Sequence, residues 1–185
     1  MRPHPEIKFT YREYALLSDD GKRHELVEGD FYMSPAPSTT HQRVLLNLLV
    51  ALVHQLQDAG KAEIFCAPVD VILGETTVVQ PDLLALRSDR KDLVKLRGIE
   101  GPPNLVVEIL SPGTRGNDEL LKRAVYARYA IPEYWIVDPD RSAVTVLRAE
   151  SPGAPYTLVA RFDQASTLTS VEFPELSIKL GTIFP

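Results

Sequence analysis

The chain has 185 residues, of which 44% are hydrophobic and 24% charged, and its net charge at pH 7 is −5. This size and composition predict one globular domain spanning residues 1–185 and exclude a strongly basic nucleic-acid-binding protein. Its apolar runs are too short to span a bilayer, and no apolar signal-peptide core lies near the start, so we expect a cytoplasmic protein with no membrane partner. The single cysteine, Cys66, is predicted to be a buried thiol.

The first half of the chain predicts a helix, a hairpin, a long helix and two strands. A short helix over 10–18 begins at a Thr cap, and the stretch HELVEGDFYMSPAP reads as two strands around a Glu28-Gly29-Asp30 turn. Apolar residues at helical spacing then predict a helix from about 38 to 60. Strands are predicted over 63–73 and 77–86, followed by a charged loop over 87–103.

The second half alternates strand, helix and strand. We predict a strand over 104–110, a helix over 117–130 and a strand over 133–138, and further β segments at 143–148, 156–162 and 177–180. This order of elements predicts an α/β domain built around a mixed central sheet, with extra β strands at both ends.

Glu108 lies inside the apolar strand NLVVEIL. Apolar residues on both faces are typical of a central strand covered by helices on each side, where a bare carboxylate costs several kcal/mol. Such a glutamate is expected to form an ion pair, to be protonated or to ligate a metal.

Two further charged residues could act together with Glu108. Asp82 follows Pro81 in QPDLLAL, and the Pro-Asp pair by itself is more simply explained by a turn or an irregularity at a strand end. Lys122 lies on a predicted helical face with Tyr126, and by itself it could be a solvated surface lysine. Together, two carboxylates on neighbouring strands and an ammonium from the next helix suit metal-assisted phosphodiester hydrolysis, with Mg²⁺, or Mn²⁺ as a substitute, held by Asp82 and Glu108.

The motifs HELVEGDFYMSPAPSTTH, PVDVIL, QPDLLAL and PPNLVVEILSPGTRGNDELLKRAVYARYAIPEYWIVDP resemble the PD-(D/E)xK restriction-endonuclease-like superfamily, and more closely its Uma-type branch. The resemblance implies an αβββαβ core, DNA as the partner, and Asp82 and Glu108 as the metal ligands. The superfamily pattern would place a lysine at position 110, where this chain has Leu110. In the Uma-type branch a helix lysine takes that place, which matches Lys122.

Four residues are predicted in supporting roles, each with an alternative. Glu28 could add a carboxylate or be only a turn residue, and His41 could orient a ligand or belong to a helix cap. Asp70 could face the site or pair with a basic residue, and Tyr126 could hydrogen-bond the lysine or a carboxylate.

The sequence therefore favours a Mg²⁺-dependent DNA endonuclease whose catalytic residues are Asp82, Glu108 and Lys122. A catalytically inactive module that binds DNA or a protein and keeps the same fold is the alternative, and a hydrolase of RNA or small phosphodiesters is a third interpretation. A homodimer is expected if both DNA strands are cut, with 143–148 and 156–162 as candidate contact segments or as a sheet extension within one subunit.

Overall fold

The computed structural model describes residues 8–17, 20–111 and 117–184, with side chains in the last range from position 120 onward. Its helical elements are α1 (Tyr11–Tyr14), α2 (Thr39–Leu52), a π-helical turn that continues α2 (Val53–Gln57), α3 (Asn117–Arg128), and two 3₁₀ turns (Ser88–Leu93 and Leu180–Thr182). Within these ranges no helix is long and apolar enough to cross a membrane.

The strands are, in chain order, β1 (Arg23–Val27), β2 (Asp30–Ser34), β3 (Ala62–Cys66), β4 (Val71–Gly74), β5 (Thr77–Val79), β6 (Leu83–Arg87), β7 (Val94–Lys95), β8 (Gly98–Glu100), β9 (Leu105–Ile109), β10 (Glu133–Asp138), β11 (Ala143–Arg148), β12 (Thr157–Asp163), β13 (Thr167–Thr169) and β14 (Ser177–Lys179).

The central sheet has the order β12-β11-β10-β9-β6-β3. It is mixed, because β9 and β10 are parallel while the other pairs are antiparallel. A parallel pair requires a crossover connection, and α3 supplies it between β9 and β10. The mixed sheet and the extra strands agree with the sequence prediction.

Helices cover both faces of β9, as its apolar sequence predicted. Leu105 and Val107 pack with the buried face of α2, which presents Val44, Leu48 and Leu52. The opposite face of the strand presents Val106 to a cluster that includes Tyr126 of α3. Glu108, on this second face, therefore lies between the central sheet and α3.

A second sheet, of order β2-β1-β5-β4-β8-β7, packs on the same side as α3. Its first two strands form the predicted hairpin, with Glu28 and Gly29 in the turn at positive φ angles of 51° and 86°. Val27, Val71 and Val79 of this sheet share a cluster with Val106 of the central sheet. This packing brings the hairpin to the side of the central sheet on which Glu108 lies.

Three sequence predictions need correction. The strands predicted over 63–73 and 77–86 are each split, with breaks at 67–70 and 80–82, because Pro68 and Pro81 have no backbone N–H for a strand ladder. The predicted loop over 87–103 contains a 3₁₀ turn and the short strands β7 and β8. Cys66, predicted to be buried, is an exposed free thiol, because the edge strand β3 leaves its last residue uncovered.

Candidate functional site

A cavity of about 540 Å³ opens where α2, α3, the hairpin and the central sheet meet. Polar and charged side chains from all four lie on its wall, among them Arg23, His41, Asp82, Glu108 and Lys122. The three residues predicted to be catalytic, Asp82, Glu108 and Lys122, thus face one space.

Asp82 stands directly before β6 and is held by three donors. Its Oδ2 accepts hydrogen bonds from the Ile109 backbone N at 2.8 Å and from His41 Nε2 at 3.1 Å. Its Oδ1 accepts from Arg23 Nη1 at 2.9 Å. Burial alone would raise the pKa of Asp82, but the hydrogen bond from His41 and the charge of Arg23 lower it to about 2. This carboxylate is therefore ionised at any physiological pH.

Glu108, in the middle of β9, is paired with the helix that follows it. Lys122 Nζ lies 2.9 Å from Glu108 Oε1, and the Tyr126 hydroxyl donates to the same oxygen. Burial raises the pKa of Glu108, the charge of Lys122 lowers it, and the charge of Asp82 raises it again, so that the pKa lies above its ordinary value. Of the alternatives left open for Lys122, the solvated surface lysine is excluded, because its side chain is 13% exposed.

A third carboxylate, Glu25 of β1, completes this set. Its Oε2 lies 3.1 Å from Lys122 Nζ, so that one ammonium bridges two carboxylates. Its Oε1 accepts a hydrogen bond from the Gln80 backbone N at 2.7 Å. Glu25 is 3% exposed, and the second sheet thus contributes a buried charge to the same cluster.

The cluster contains two fixed positive charges. Burial alone would lower the pKa of Lys122, but Glu108 and Glu25 outweigh it and raise that pKa. The pKa of Arg23 is likewise raised, because the charges of Glu108, Asp82 and Glu25 outweigh its burial. With all three carboxylates ionised, these five side chains carry a net charge of −1, which attracts a cation.

The donor set has the chemistry of a magnesium or manganese site, because the charged ligands on offer are carboxylate oxygens. Among the side chains that the structure describes, no group of three His, Cys, Asp or Glu residues is already arranged as a metal site. Asp82 Oδ1 is shared with Arg23, and the hydrogen bonds that Glu108 accepts from Lys122 and Tyr126 both end on Oε1. The residues therefore fit a hard cation that completes its shell with water and phosphate oxygens.

A family model described as "Putative restriction endonuclease", Uma2, matches residues 10–181, which covers nearly the whole chain. This chain belongs to the Uma2 family. Among solved structures it is similar to a putative nuclease belonging to DUF820 from Anabaena variabilis, at 20% sequence identity and a TM-score of 0.78. The similarity covers 95% of this chain and 97% of that one and confirms the restriction-endonuclease-like α/β fold. No curated protein matches the sequence.

The supporting residues predicted for this Uma2 chain separate into two groups. His41 and Tyr126 lie at the site, where they donate to Asp82 and Glu108 respectively. The backbone N of His41 also donates to Ser38 Oγ, so the residue belongs to the helix cap as well. Glu28 lies at the hairpin turn, paired with Arg128, and does not line the cavity. Asp70 lines a neighbouring cavity and bonds Tyr14 and Gln80 rather than a basic residue.

Sequence reasoning missed Arg23 and Glu25 of this Uma2 site. The alternation of β1, RHELV, places Arg23 and Glu25 on one face with the apolar Val27. Two charges among three residues are typical of an exposed hairpin face, so no local signal in the sequence marks their burial.

Proposed function

We propose that the protein is a metal-dependent endonuclease that hydrolyses DNA phosphodiester bonds. The observation that carries the proposal is that the Lys122 ammonium bridges two carboxylates, Glu25 and Glu108, in the cavity that Asp82 also lines. Membership of the Uma2 family supports the choice of a nuclease over other phosphodiesterases.

In this proposal Asp82 and Glu108 hold Mg²⁺, or Mn²⁺ in its place. The bound cation would supply a Lewis acid for the phosphoryl oxygen and a water of lowered pKa. His41 and the Ile109 backbone N fix the Asp82 carboxylate from one side, so that Oδ1 faces Arg23 and the cavity. Carboxylates held by such outer partners are pre-oriented for binding.

Lys122 acts as a fixed positive charge and a hydrogen-bond donor. Its raised pKa keeps the ammonium protonated at neutral pH, so it cannot accept a proton from water. It can orient a water by donating to it and can offset the negative charge that develops on the phosphate. Arg23 can assist, because its Nε and Nη2 are buried without a hydrogen-bond partner among the described residues.

The experiment is cleavage of supercoiled plasmid DNA by the purified full chain with Mg²⁺, with Mn²⁺ and with EDTA. We expect cleavage with either metal and none with EDTA, and a loss of about a hundredfold or more in Asp82→Asn and Glu108→Gln. Glu28→Gln is the matched control, because Glu28 is an exposed carboxylate outside the cavity. Equal activity of Asp82→Asn and the wild type would refute the proposal.

One observation favours the second candidate, a catalytically inactive module that binds DNA or a protein. Arg23 and Lys122 already compensate Asp82 and Glu108 within the chain, as in a purely structural charge cluster. In that case Mg²⁺ and Mn²⁺ would leave the thermal unfolding temperature unchanged. Metal-dependent stabilisation that is lost in Glu108→Gln would exclude this candidate.

A homodimer remains a prediction that follows from double-strand cleavage. Of the two candidate contact segments, β11 lies inside the central sheet between β10 and β12, which makes it a sheet extension within the subunit. β12 is an edge strand of that sheet, with Leu158 and Val159 exposed. Sedimentation of Leu158→Lys against the wild type would test whether copies associate through this edge.

A further inference from the structure

A second cavity of about 610 Å³ adjoins the candidate site. The two cavities share part of their walls, including Arg23, His41 and Asp82. Beyond this common wall the second cavity is lined by Tyr11, Tyr14, Asp70, Gln80 and Arg97, among others. Its volume falls within the range of about 300–1,000 Å³ that is typical of small-molecule sites.

Unpartnered polar atoms are concentrated on this cavity. Within the described part of the chain, the buried side-chain atoms without a hydrogen-bond partner are Arg23 Nε and Nη2, His41 Nδ1 and Gln80 Oε1. All three residues line the second cavity. Gln80 is 9% exposed, so its carbonyl has lost water without gaining a donor. A buried acceptor in this state is expected to be satisfied by an ordered water or a ligand.

The floor of the cavity presents acceptors. Gln80 Nε2 donates to Asp70 Oδ1 at 2.8 Å, and the Tyr14 hydroxyl lies 2.8 Å from the same oxygen. These contacts fix the orientation of the Gln80 amide, whose Oε1 accepts no hydrogen bond from the described residues. The other oxygen of Asp70, Oδ2, accepts no hydrogen bond from the described residues, since both of the Asp70 side-chain bonds end on Oδ1.

The common wall presents donors instead. The unpartnered nitrogens of Arg23 belong to a guanidinium, which is positively charged at any physiological pH. Guanidinium N–H groups match the oxygens of a phosphate. The cavity thus places a phosphate-binding cation beside the candidate catalytic carboxylate and acceptors away from it.

We propose that the second cavity binds the nucleotide that carries the scissile phosphate, with this phosphate at Arg23 and its base against Asp70 and Gln80. This inference rests on the proposed nuclease function, which supplies the strand. Guanine is the preferred base, because its Watson–Crick edge carries adjacent N1–H and N2–H donors that match a carboxylate and an amide oxygen. Thymine offers one such donor and is bound less tightly.

The test is calorimetric titration of the full chain with 2′-deoxyguanosine and thymidine 5′-monophosphates in EDTA. We expect the guanine nucleotide to bind about tenfold more tightly than the thymine nucleotide. Asp70→Asn replaces an acceptor by an N–H₂ donor and should abolish that difference. Asp58→Asn is the control, because Asp58 is exposed and lines neither cavity. Thermal unfolding of both variants checks that each remains folded.

Equal affinity of the wild type for the two nucleotides would refute the proposal, whatever affinities Asp70→Asn shows. A preference that survives in folded Asp70→Asn would overturn it as well. Plasmid cleavage keeps the two proposals distinguishable. If the protein cleaves DNA but shows no base preference, only the nucleotide pocket is refuted. If it prefers the guanine nucleotide but cleaves no DNA, only the nuclease function is refuted.

Discussion

The Nζ atom of Lys122 lies 2.9 Å from Oε1 of Glu108, although the two residues are 14 positions apart and belong to a helix and a strand. The superfamily pattern would place this lysine at position 110, two residues after the glutamate on the same strand. Leu110 stands there and lines the same cavity. A lysine at position 110 and the lysine at position 122 would therefore both place an ammonium in this cavity.

If only the position of the ammonium matters, and not the element that carries it, a lysine at position 110 should be able to replace Lys122. We expect Lys122→Met to lower DNA cleavage by about a hundredfold or more. Adding Leu110→Lys to that variant should restore about tenfold of the loss, because the new ammonium enters the same cavity. In the control, Leu120→Lys in the Lys122→Met background, the lysine lies on the exposed side of α3 and should restore nothing. Equal recovery in both double variants would contradict the argument.

The lowered pKa of Asp82 makes the metal-free protein sensitive to acid. Since the pKa falls from 3.8 in the unfolded chain to about 2 in the fold, the ionised carboxylate contributes about 2 kcal/mol. That contribution is present above pH 3.8 and is lost as the pH falls through 2. We expect the stability difference between the wild type and Asp82→Asn to shrink by this amount between pH 5 and pH 2. Urea unfolding in EDTA at several pH values measures it, and a constant difference would disprove it.

If Asp82 holds a metal ion as proposed, Arg23 competes with it for Asp82 Oδ1, since Arg23 Nη1 lies 2.9 Å from that oxygen. Arg23→Gln removes one positive charge from the cavity and should tighten Mn²⁺ binding by about tenfold, while lowering DNA cleavage because the phosphate loses a donor. Electron paramagnetic resonance of free Mn²⁺ gives the affinity. Arg128→Gln, which removes an exposed arginine at the end of α3, is the control. Weaker Mn²⁺ binding in Arg23→Gln would show that the two cations do not compete.

Glu133 of β10 lies outside the site and holds the segment that contains Val171 and Glu172 against this strand. Its Oε2 accepts from the backbone N atoms of Val171 and Glu172, each at 2.8 Å, and Trp135 Nε1 donates to Oε1 at 2.6 Å. In Glu133→Gln one amide N–H₂ must face a buried N–H donor, so we expect a loss of about 1–3 kcal/mol in the free energy of unfolding. Urea unfolding measures it, and the exposed Glu175→Gln should change stability by less than about 0.5 kcal/mol.

The sequence predicted those parts of the fold that depend on local pattern. The strands over 133–138 and 143–148 have the predicted bounds, because each is a short apolar or alternating run between turn residues. The hairpin and the long helix were also predicted, from the turn residues and the helical spacing. The breaks at Pro68 and Pro81 were missed, because apolar residues on both sides of a proline resemble one continuous strand.

The site could be predicted only where a residue looked unusual in its own element. Glu108 in an apolar strand is such a residue, and it led to Asp82 and Lys122. Arg23 and Glu25 lie in a hairpin with ordinary local features, and their burial depends on the second sheet packing against α3. Glu28 was predicted as a further carboxylate of the site or only a turn residue, and it is an exposed turn residue paired with Arg128.

Glu25 and Arg23 reach the cavity from the hairpin, whereas Asp82 and Glu108 belong to the central sheet. An N-terminal truncation that removed the hairpin would strip the guanidinium and one acid from the cluster and leave the central strands in sequence intact. Such a fragment would keep Asp82, Glu108 and Lys122 but lack Arg23, one of the two positive charges of the cluster. Truncation from the N-terminus is therefore expected to abolish activity before it unfolds the central sheet next to Pro81 and Asp82.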